Sequence, residues 1–357
     1  MAMLRCVVIG ALALHWGQFK GSLATVTRSS PRVRHLVDKT WTCPFKQRDI
    51  SCRTHKAVVR DLVRQKARIC LWDPNTVHHP MQLSAVNVAP MIELMRNCST
   101  SDATMFALSS VQDVEFARQC CGRDTYSLYF TTEPPEIDPK GAIYVTKNSE
   151  LYDLVLTLAD HNHGQKQLPN AMTWPLGGSW IPPSQWGMHP KTKLCSIIAS
   201  SKTDAPGHQL RHEVVQLLKT ELGGLCDVFG RGYAPLADKS NGLKDYMFSI
   251  VIENSINGRY MSEKLIDAMA LGTVPIYWGT REAERAFSVI PWRTLEDLKR
   301  VLRKLDARLY KRMRFAARSN LDTARAFETP EQWLWDNVLK CAYEWHASHP
   351  PANCPLK

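Results

Sequence analysis

The residues best suited to chemistry lie between Asp245 and Gly279, a segment whose pattern predicts strand, loop, helix and strand. The first strand ends at Glu253–Ser255, and the helix opens at Ser262–Lys264. Ligands of open parallel sheets bind at the carboxyl ends of the strands, so Asn254 and the helix start are expected at a binding edge. A helix N-terminus carries unpaired amides and a partial positive charge. Because Lys264 adds a full charge there, the segment predicts a phosphate site.

The other side chains of this segment suggest the rest of a ligand site. Glu263 would repel phosphate, so its expected task is to accept hydrogen bonds from sugar hydroxyls. Tyr260 is expected to stack on a ring or close over it. In an isolated Ser-Glu-Lys triplet, a glutamate that complements the helix dipole and a solvated lysine would be the usual interpretation. The whole string of residues favours the ligand interpretation.

Apolar runs on either side of this segment predict two α/β units. The expected strands are 69–72, 105–108, 127–130, 143–145, 154–158, 194–199, 226–229, 247–252 and 274–278. Met91, Leu94 and Met95 suggest a helical face, and long helices are expected from Leu295 onward. Strands that alternate with helices predict parallel sheets, hence two doubly wound, Rossmann-type domains that face each other across a cleft.

Composition shifts divide the chain into five parts. We expect a signal peptide or short membrane anchor (1–27), a stem (28–65), an N-terminal domain (66–176), a C-terminal domain (185–325) and a helix with a tail (326–357), with a linker rich in Gly and Pro at 177–183. Arg5 precedes an apolar run at 6–16 that is short for a membrane span of about 20 residues, so it fits a signal-peptide core better. An organelle transit peptide remains an alternative. The glycosylation sequon at Asn97 gives weak support to a secretory protein.

The eleven cysteines are also many for a cytosolic enzyme. Cys43 and Cys52 bracket a polar loop, and Cys341 and Cys354 bracket a Pro-rich tail, so either spacing could close a disulfide. Buried free thiols are the equal alternative.

The formal net charge of +11 indicates anionic partners but does not identify them. The basic residues are spread along the chain and no nucleic-acid-binding motif is present, which counts against DNA or RNA. No GxGxxG follows an expected strand, which counts against a dinucleotide-dependent oxidoreductase.

His161 and His163 have no partner cluster for a metal and are expected in a solvated loop. Trp174, Trp180 and Trp186 flank the linker and are expected to pack the domain interface or to line an acceptor cleft.

Residues 248–255, 260–268 and 274–279 together resemble the signature of glycosyltransferase family ten, the α-1,3/1,4-fucosyltransferases. The sequence departs from the usual string with Ile252 for Phe, Met261 for Val and Ser262 for Thr, and serine keeps the capping hydroxyl. The run 227–232 is similar to the Asp-Val-Phe-Gly-Arg strand end of the same family.

The resemblance implies a GT-B-like fold and residue roles. Arg211 resembles the family arginine that meets the nucleotide phosphates, while a surface position is the alternative. The run 128–136 resembles the strand end where the family has its catalytic carboxylate, which implies Glu133 as general base with Glu136 as the fallback. A loop carboxylate before two prolines is the equal alternative for Glu133. The implied donor-binding residues are Arg211, Asn254, Tyr260, Glu263 and Lys264.

The resemblance also implies an activity: inverting transfer of fucose from GDP-fucose to a hydroxyl of a glycan or glycoprotein. The expected location is the Golgi lumen, with membrane association through the N-terminus as an open alternative. No Asp-x-Asp triplet occurs, so no cofactor is required by this interpretation, although a divalent cation could stimulate transfer. The alternative is a catalytically silent nucleotide- or sugar-binding protein of the same fold.

Overall fold

The computed structural model describes residues 43, 45, 49–72, 91–95, 104–109, 124–158, 168–174, 177–352 and 354. The N-terminal apolar run, the sequon at Asn97 and the histidines at 161 and 163 lie outside these residues. Within the described ranges, no helix combines the length and hydropathy needed to span a membrane.

The N-terminal sheet has six strands, all parallel, in the order β2-β1-β3-β4-β5-β6. The strands are β1 (Ala67–Trp72), β2 (Ile92–Met95), β3 (Phe106–Ser109), β4 (Tyr126–Phe130), β5 (Leu154–Thr157) and β6 (Ala171–Thr173). The strands predicted at 69–72, 105–108, 127–130 and 154–158 are therefore confirmed. Strand β4 is buried along its whole length, as expected of a strand covered on both faces.

Two predictions in this domain are wrong. Residues 143–145 are part of helix α2 (Pro139–Asn148), which begins with an Asp138 N-cap and a proline in its first turn. Ile143 is exposed and Val145 is buried, so this apolar triplet is one edge of an amphipathic helix. Residues 92–95, predicted as helix, pair with β1 in parallel register. Apolar spacing over so few residues fits either structure, and sheet pairing decides it.

The C-terminal sheet has five strands, also parallel, in the order β11-β10-β9-β7-β8. The strands are β7 (Lys193–Ile198), β8 (Asp227–Phe229), β9 (Tyr246–Ile252), β10 (Val274–Trp278) and β11 (Ile290–Pro291). The helices that follow are α3 (Pro206–Thr220), α4 (Glu263–Ala270), α5 (Arg281–Ala286), α6 (Leu295–Leu302) and α7 (Ala307–Ala324). The strands and helices predicted here are confirmed to within a few residues.

Both sheets therefore share one connectivity: the first strand lies beside the second on one side and the third on the other. This order is that of a doubly wound fold, with a topological switch point between the first and third strands. In the C-terminal sheet the switch point lies between β7 and β9, the strand that ends at Glu253–Ser255.

The ends of the described chain meet on the N-terminal domain. Helix α1 (Cys52–Val63), within the predicted stem, packs on β1 and is joined to it by the buried ion pair between Asp61 and Arg68, 2.9 Å apart. Helices α8 (Pro330–Leu334) and α9 (Lys340–Ser348), connected by a π-helical turn at Trp335–Leu339, return to the same domain, where α9 packs on α1. The predicted C-terminal helix and tail is thus part of the N-terminal core.

Three disulfides are described, and they correct the local pairings considered from sequence. Cys43 pairs with Cys341 and Cys52 pairs with Cys354, so each bond joins the two ends of the described chain. The third, Cys195–Cys226, links β7 to the residue before β8 within the C-terminal sheet. Cys52 opens α1 and Cys341 lies in α9, so folding brings distant cysteines together as these helices pack.

Candidate functional site

The start of helix α3 packs directly against the end of strand β9, at the switch point. The amide of Gly207 donates to the carbonyl of Asn254, 2.9 Å away. A Cβ atom at position 207 would lie 1.8 Å from the carbonyl oxygen of Glu253, so only glycine permits this approach. The start of α3 is therefore in contact with the end of β9, where Asn254 was predicted at the binding edge.

Arg211, one turn further along α3, is buried beneath this edge. Its Nε donates to the carbonyl of Ile252 at 3.2 Å, Nη2 contacts the same carbonyl, and Nη2 also donates to Asn254 Oδ1 at 3.1 Å. Burial lowers the pKa of the guanidinium, and the nearby Glu253 works in the opposite direction. Among the described residues, Nη1 makes no hydrogen bond, so the anchored guanidinium keeps donors for an anion.

Asn254 connects this edge to the N-terminal domain. Its Nδ2 lies 3.4 Å from Oε2 of Glu133, which follows strand β4 of the other sheet. The carboxyl ends of the two sheets thus face each other, and Glu133 reaches the predicted donor edge. Glu133 is exposed as a residue, yet desolvation of its carboxyl group by surrounding protein raises its pKa. Lys264 and the hydrogen bond from Asn254 act against this rise.

A second hydrogen bond joins the same two loops. Asn257 Nδ2 donates to Glu136 Oε1 at 3.1 Å in a solvent-exposed position. Glu136, the fallback base, therefore lies beside the loop after β9, whereas Glu133 contacts the residue that also binds Arg211. The geometry favours Glu133 over Glu136 as the carboxylate of the site.

Ser262 caps helix α4 as predicted, since its hydroxyl accepts from the amide of Lys264 at 3.3 Å. The fully buried Glu253 holds this cap: its carboxylate accepts from the Ser262 amide at 3.0 Å and from the Ser262 hydroxyl at 2.5 Å. Burial raises the pKa of Glu253, and the charge of Lys264 counteracts this. Glu253 thereby fixes the start of α4 to the end of β9.

Glu263 and Lys264 form an ion pair at the first turn of α4. Lys264 Nζ lies 3.3 Å from Glu263 Oε1, and Lys239 Nζ lies 3.7 Å from the same oxygen. Burial alone would raise the pKa of Glu263, but Lys264 and Lys239 lower it to about 2. Glu263 is therefore an ionised acceptor for hydroxyl groups, while Lys264 lies within electrostatic reach of Glu133.

Tyr260 differs from its prediction. Its side chain is only 1% exposed and packs in the hydrophobic core, so in this conformation the ring is not open for stacking on a ligand. Burial raises the pKa of its hydroxyl well above the usual value. Of the flanking tryptophans, Trp174 and Trp186 are buried, as packing at the domain interface requires, and Trp180 is 41% exposed.

Sequence reasoning missed several positioning residues. Glu253 belongs to the recognised string, but its contact with Ser262 depends on the turn of the loop after β9. Asp267 is four residues after Glu263, hence on the same helical face, which is a usable signal. Gly207 and Lys239 lie in segments whose sequence shows no pattern of function.

Together these residues bring two cations, Arg211 and Lys264, to one edge opposite the carboxylate of Glu133. Within the described ranges, no cluster of three or more His, Cys, Asp or Glu could hold a metal ion. A cavity of about 470 Å³, lined by residues between Arg281 and Lys304, contains none of the site residues. Two parallel α/β sheets with facing carboxyl ends and such a site define a GT-B-like protein.

Comparison with known proteins shows which family the chain is similar to. Residues 188–342 match the glycosyltransferase family 10 (fucosyltransferase) C-terminal region, so the predicted resemblance to that family is confirmed over these residues. A segment of 109 residues is 28% identical to the alpha-(1,3)-fucosyltransferase FucT of Helicobacter pylori. That match covers 30% of this chain and only 22% of the relative's length.

Solved structures of glycosyltransferases are also similar. An alpha1,3-fucosyltransferase with GDP-fucose matches with 14% identity and a TM-score of 0.41, over 82% of this chain and 86% of that one. An alpha-glucosyltransferase in complex with UDP matches with 8% identity and a TM-score of 0.44, over 79% and 100%. TM-scores this low do not transfer residue roles.

Proposed function

We propose that the chain is an inverting glycosyltransferase that moves fucose from GDP-fucose to a hydroxyl of a glycan acceptor. The observation on which this rests is the contact between Asn254 and Glu133, which puts a carboxylate from one sheet at the anion-binding edge of the other. The family match over residues 188–342 supports the class of reaction, and GDP-fucose is the donor that the resemblance to this family implies.

In this proposal the C-terminal domain binds the donor. Phosphate oxygens would meet the α4 N-terminus, Lys264 and the free nitrogen of Arg211, because these donors converge at the switch point. The ionised carboxylate of Glu263 would accept hydrogen bonds from donor hydroxyls. Negative charge grows on the diphosphate as the glycosidic bond breaks, so Lys264 and Arg211 stabilise the transition state.

The N-terminal domain supplies the base. Glu133 would take the proton of the acceptor hydroxyl while that oxygen attacks the anomeric carbon from the face opposite the diphosphate. A raised pKa makes its carboxylate a stronger base, which suits this step. The leaving diphosphate needs positive charge, and lysine and arginine provide it. We therefore propose a reaction with no obligatory metal, which a divalent cation could stimulate.

The same proposal includes the secretory pathway, with the Golgi lumen as the working location. Three described disulfides support it, because such bonds persist in oxidising compartments. We also propose that the acceptor is a glycan or glycoprotein. The N-terminal apolar run would attach the protein to the membrane.

Incubation of the purified chain with GDP-fucose, GDP-mannose and UDP-galactose tests the proposal. We expect nucleotide release and acceptor modification with GDP-fucose alone, measured by released nucleotide and mass spectrometry of the acceptor. A shift of the melting temperature with GDP but no turnover would instead support a silent nucleotide-binding protein. If the chain shows no turnover and no thermal shift with GDP, both functions are refuted.

A further inference from the structure

Lys239 lies between two carboxylates of helix α4. It opens the 3₁₀ turn Lys239–Gly242, and its Nζ is 2.6 Å from Asp267 Oδ2 and 3.7 Å from Glu263 Oε1. Positions 263 and 267 are one helical turn apart and share a face. A lysine from a separate segment therefore bridges the first two turns of the helix.

Asp267 fixes the place of this lysine. Its side chain is fully buried, and its Oδ1 accepts from the Ser179 hydroxyl at 2.7 Å and the Trp180 amide at 2.9 Å. A buried carboxylate needs a compensating charge. In the part of the chain that the structure describes, Lys239 is the cation within salt-bridge distance of Asp267. The linker, the 3₁₀ turn and α4 are thereby joined at one point.

The two lysines beside Glu263 contact the same carboxylate oxygen. Lys239 and Lys264 both contact Oε1. Among the described residues, neither ion pair of Glu263 involves Oε2, the backbone amide of Glu263 also hydrogen-bonds to the carboxylate, and the side chain is 24% exposed. One oxygen is thus fixed by two cations, and the other is left to accept a hydrogen bond from a ligand.

We propose that Lys239 is a positioning residue of the donor site, which holds Glu263 so that Oε2 is presented to a hydroxyl of the nucleotide sugar. This inference rests on the proposed function for the identity of the ligand. The geometry of Lys239, Glu263 and Asp267 is independent of it.

A single Lys239→Met substitution is a poor test, because the uncompensated charge of Asp267 would destabilise the fold. The double variant Lys239→Met with Asp267→Asn removes both members of the buried pair. Asp267→Asn alone keeps Lys239 and serves as the matched control. Lys239→Arg keeps a cation near Glu263, so it should retain most of the wild-type behaviour.

The first measurement is the titration of Glu263 by ¹³C NMR of labelled glutamate carboxyls, with the signal assigned by its loss in Glu263→Gln. With both lysines present the pKa of Glu263 is about 2. In the double variant we expect the titration midpoint to rise toward that of an ordinary glutamate, whereas in Asp267→Asn it stays low. Equal midpoints in the two variants would overturn the proposal.

The second measurement is steady-state kinetics with GDP-fucose. We expect the donor KM of the double variant to rise about tenfold over Asp267→Asn with a smaller change in kcat, since the lost contact is to bound donor. Equal KM values in an active enzyme would also overturn the proposal. If wild-type protein does not turn over GDP-fucose, the proposed function fails, and the NMR titration still decides whether Lys239 controls Glu263.

Discussion

The two sheets have the same strand order but present their functional groups in different ways. In the C-terminal domain Arg211, Asn254 and Glu253 are all buried; Arg211 donates to Asn254, and the carboxylate of Glu253 accepts from Ser262. In the N-terminal domain Glu133 is an exposed residue on a loop between β4 and α2. Under the proposed function, one domain holds a preformed binding edge, whereas the other contributes a single reactive group. Variants in the two domains should therefore separate binding from chemistry.

The largest effect is expected at the N-terminal side of this comparison. Glu133→Gln removes the proton acceptor but keeps a partner for Asn254, so kcat should fall by about 10³-fold while GDP affinity is unchanged. Measurement of kcat and of GDP binding by calorimetry checks this. Glu136→Gln is the matched control and should stay within about twofold of wild type. The reverse ranking of the two variants would assign the base to Glu136.

Lys264→Ala, in the C-terminal domain, should change both GDP affinity and kcat/KM. It removes a cation from the start of α4, so we expect weaker GDP binding and a fall of kcat/KM of about 10²-fold. Arg285, paired with Glu282 in helix α5, offers a control because Arg285→Ala removes an equal charge from the same domain. An effect of Lys264→Ala on kcat with unaltered GDP affinity would contradict a phosphate-binding role.

The C-terminal domain was largely predictable from its sequence. Its strands are short, continuous apolar runs bounded by breakers such as Gly272, which has a φ of +69° where the chain leaves α4 for β10. Buried parallel strands give that pattern directly. In the N-terminal domain the apolar triplet at 143–145 fits strand and helix equally, and β6 has only three residues. These apolar runs are too short for their sequence pattern to distinguish a strand from a helix.

The site was predictable where chemistry and spacing coincide. Asn254, Glu263 and Lys264 lie within one βαβ unit, and the structure brings them to one edge together with Arg211 and Glu133. The burial of Tyr260 was not predictable, because an aromatic ring in a loop suits a core or a ligand equally well. Disulfide connectivity and the role of Lys239 depend on contacts between distant segments, which no local spacing encodes.

The disulfides allow a test of whether the two domains are energetically separate. Cys52→Ala with Cys354→Ala opens a link across the N-terminal domain and should cost about 4 kcal/mol of stability there. Calorimetric unfolding should show a lower melting temperature, with GDP affinity retained. The matched variant, Cys195→Ala with Cys226→Ala, opens the link inside the C-terminal sheet and should weaken GDP binding instead. If both double variants lost the same GDP affinity, the two domains would be energetically coupled rather than separate.

The smallest effect concerns pH and couples the two domains. Glu133 must be ionised to act as base, so activity is lost as pH falls through its pKa, which burial raises above the ordinary value. Lys264 lowers that pKa, hence Lys264→Ala should move the acid limb of kcat/KM to higher pH. Profiles recorded between about pH 4 and pH 8 would measure the shift. Arg285→Ala should leave the limb nearly in place, because the largest effects on the pKa of Glu133 come from burial and from groups other than Arg285. An acid limb that moves equally in both variants would mean that net charge, rather than contact across the cleft, controls the base.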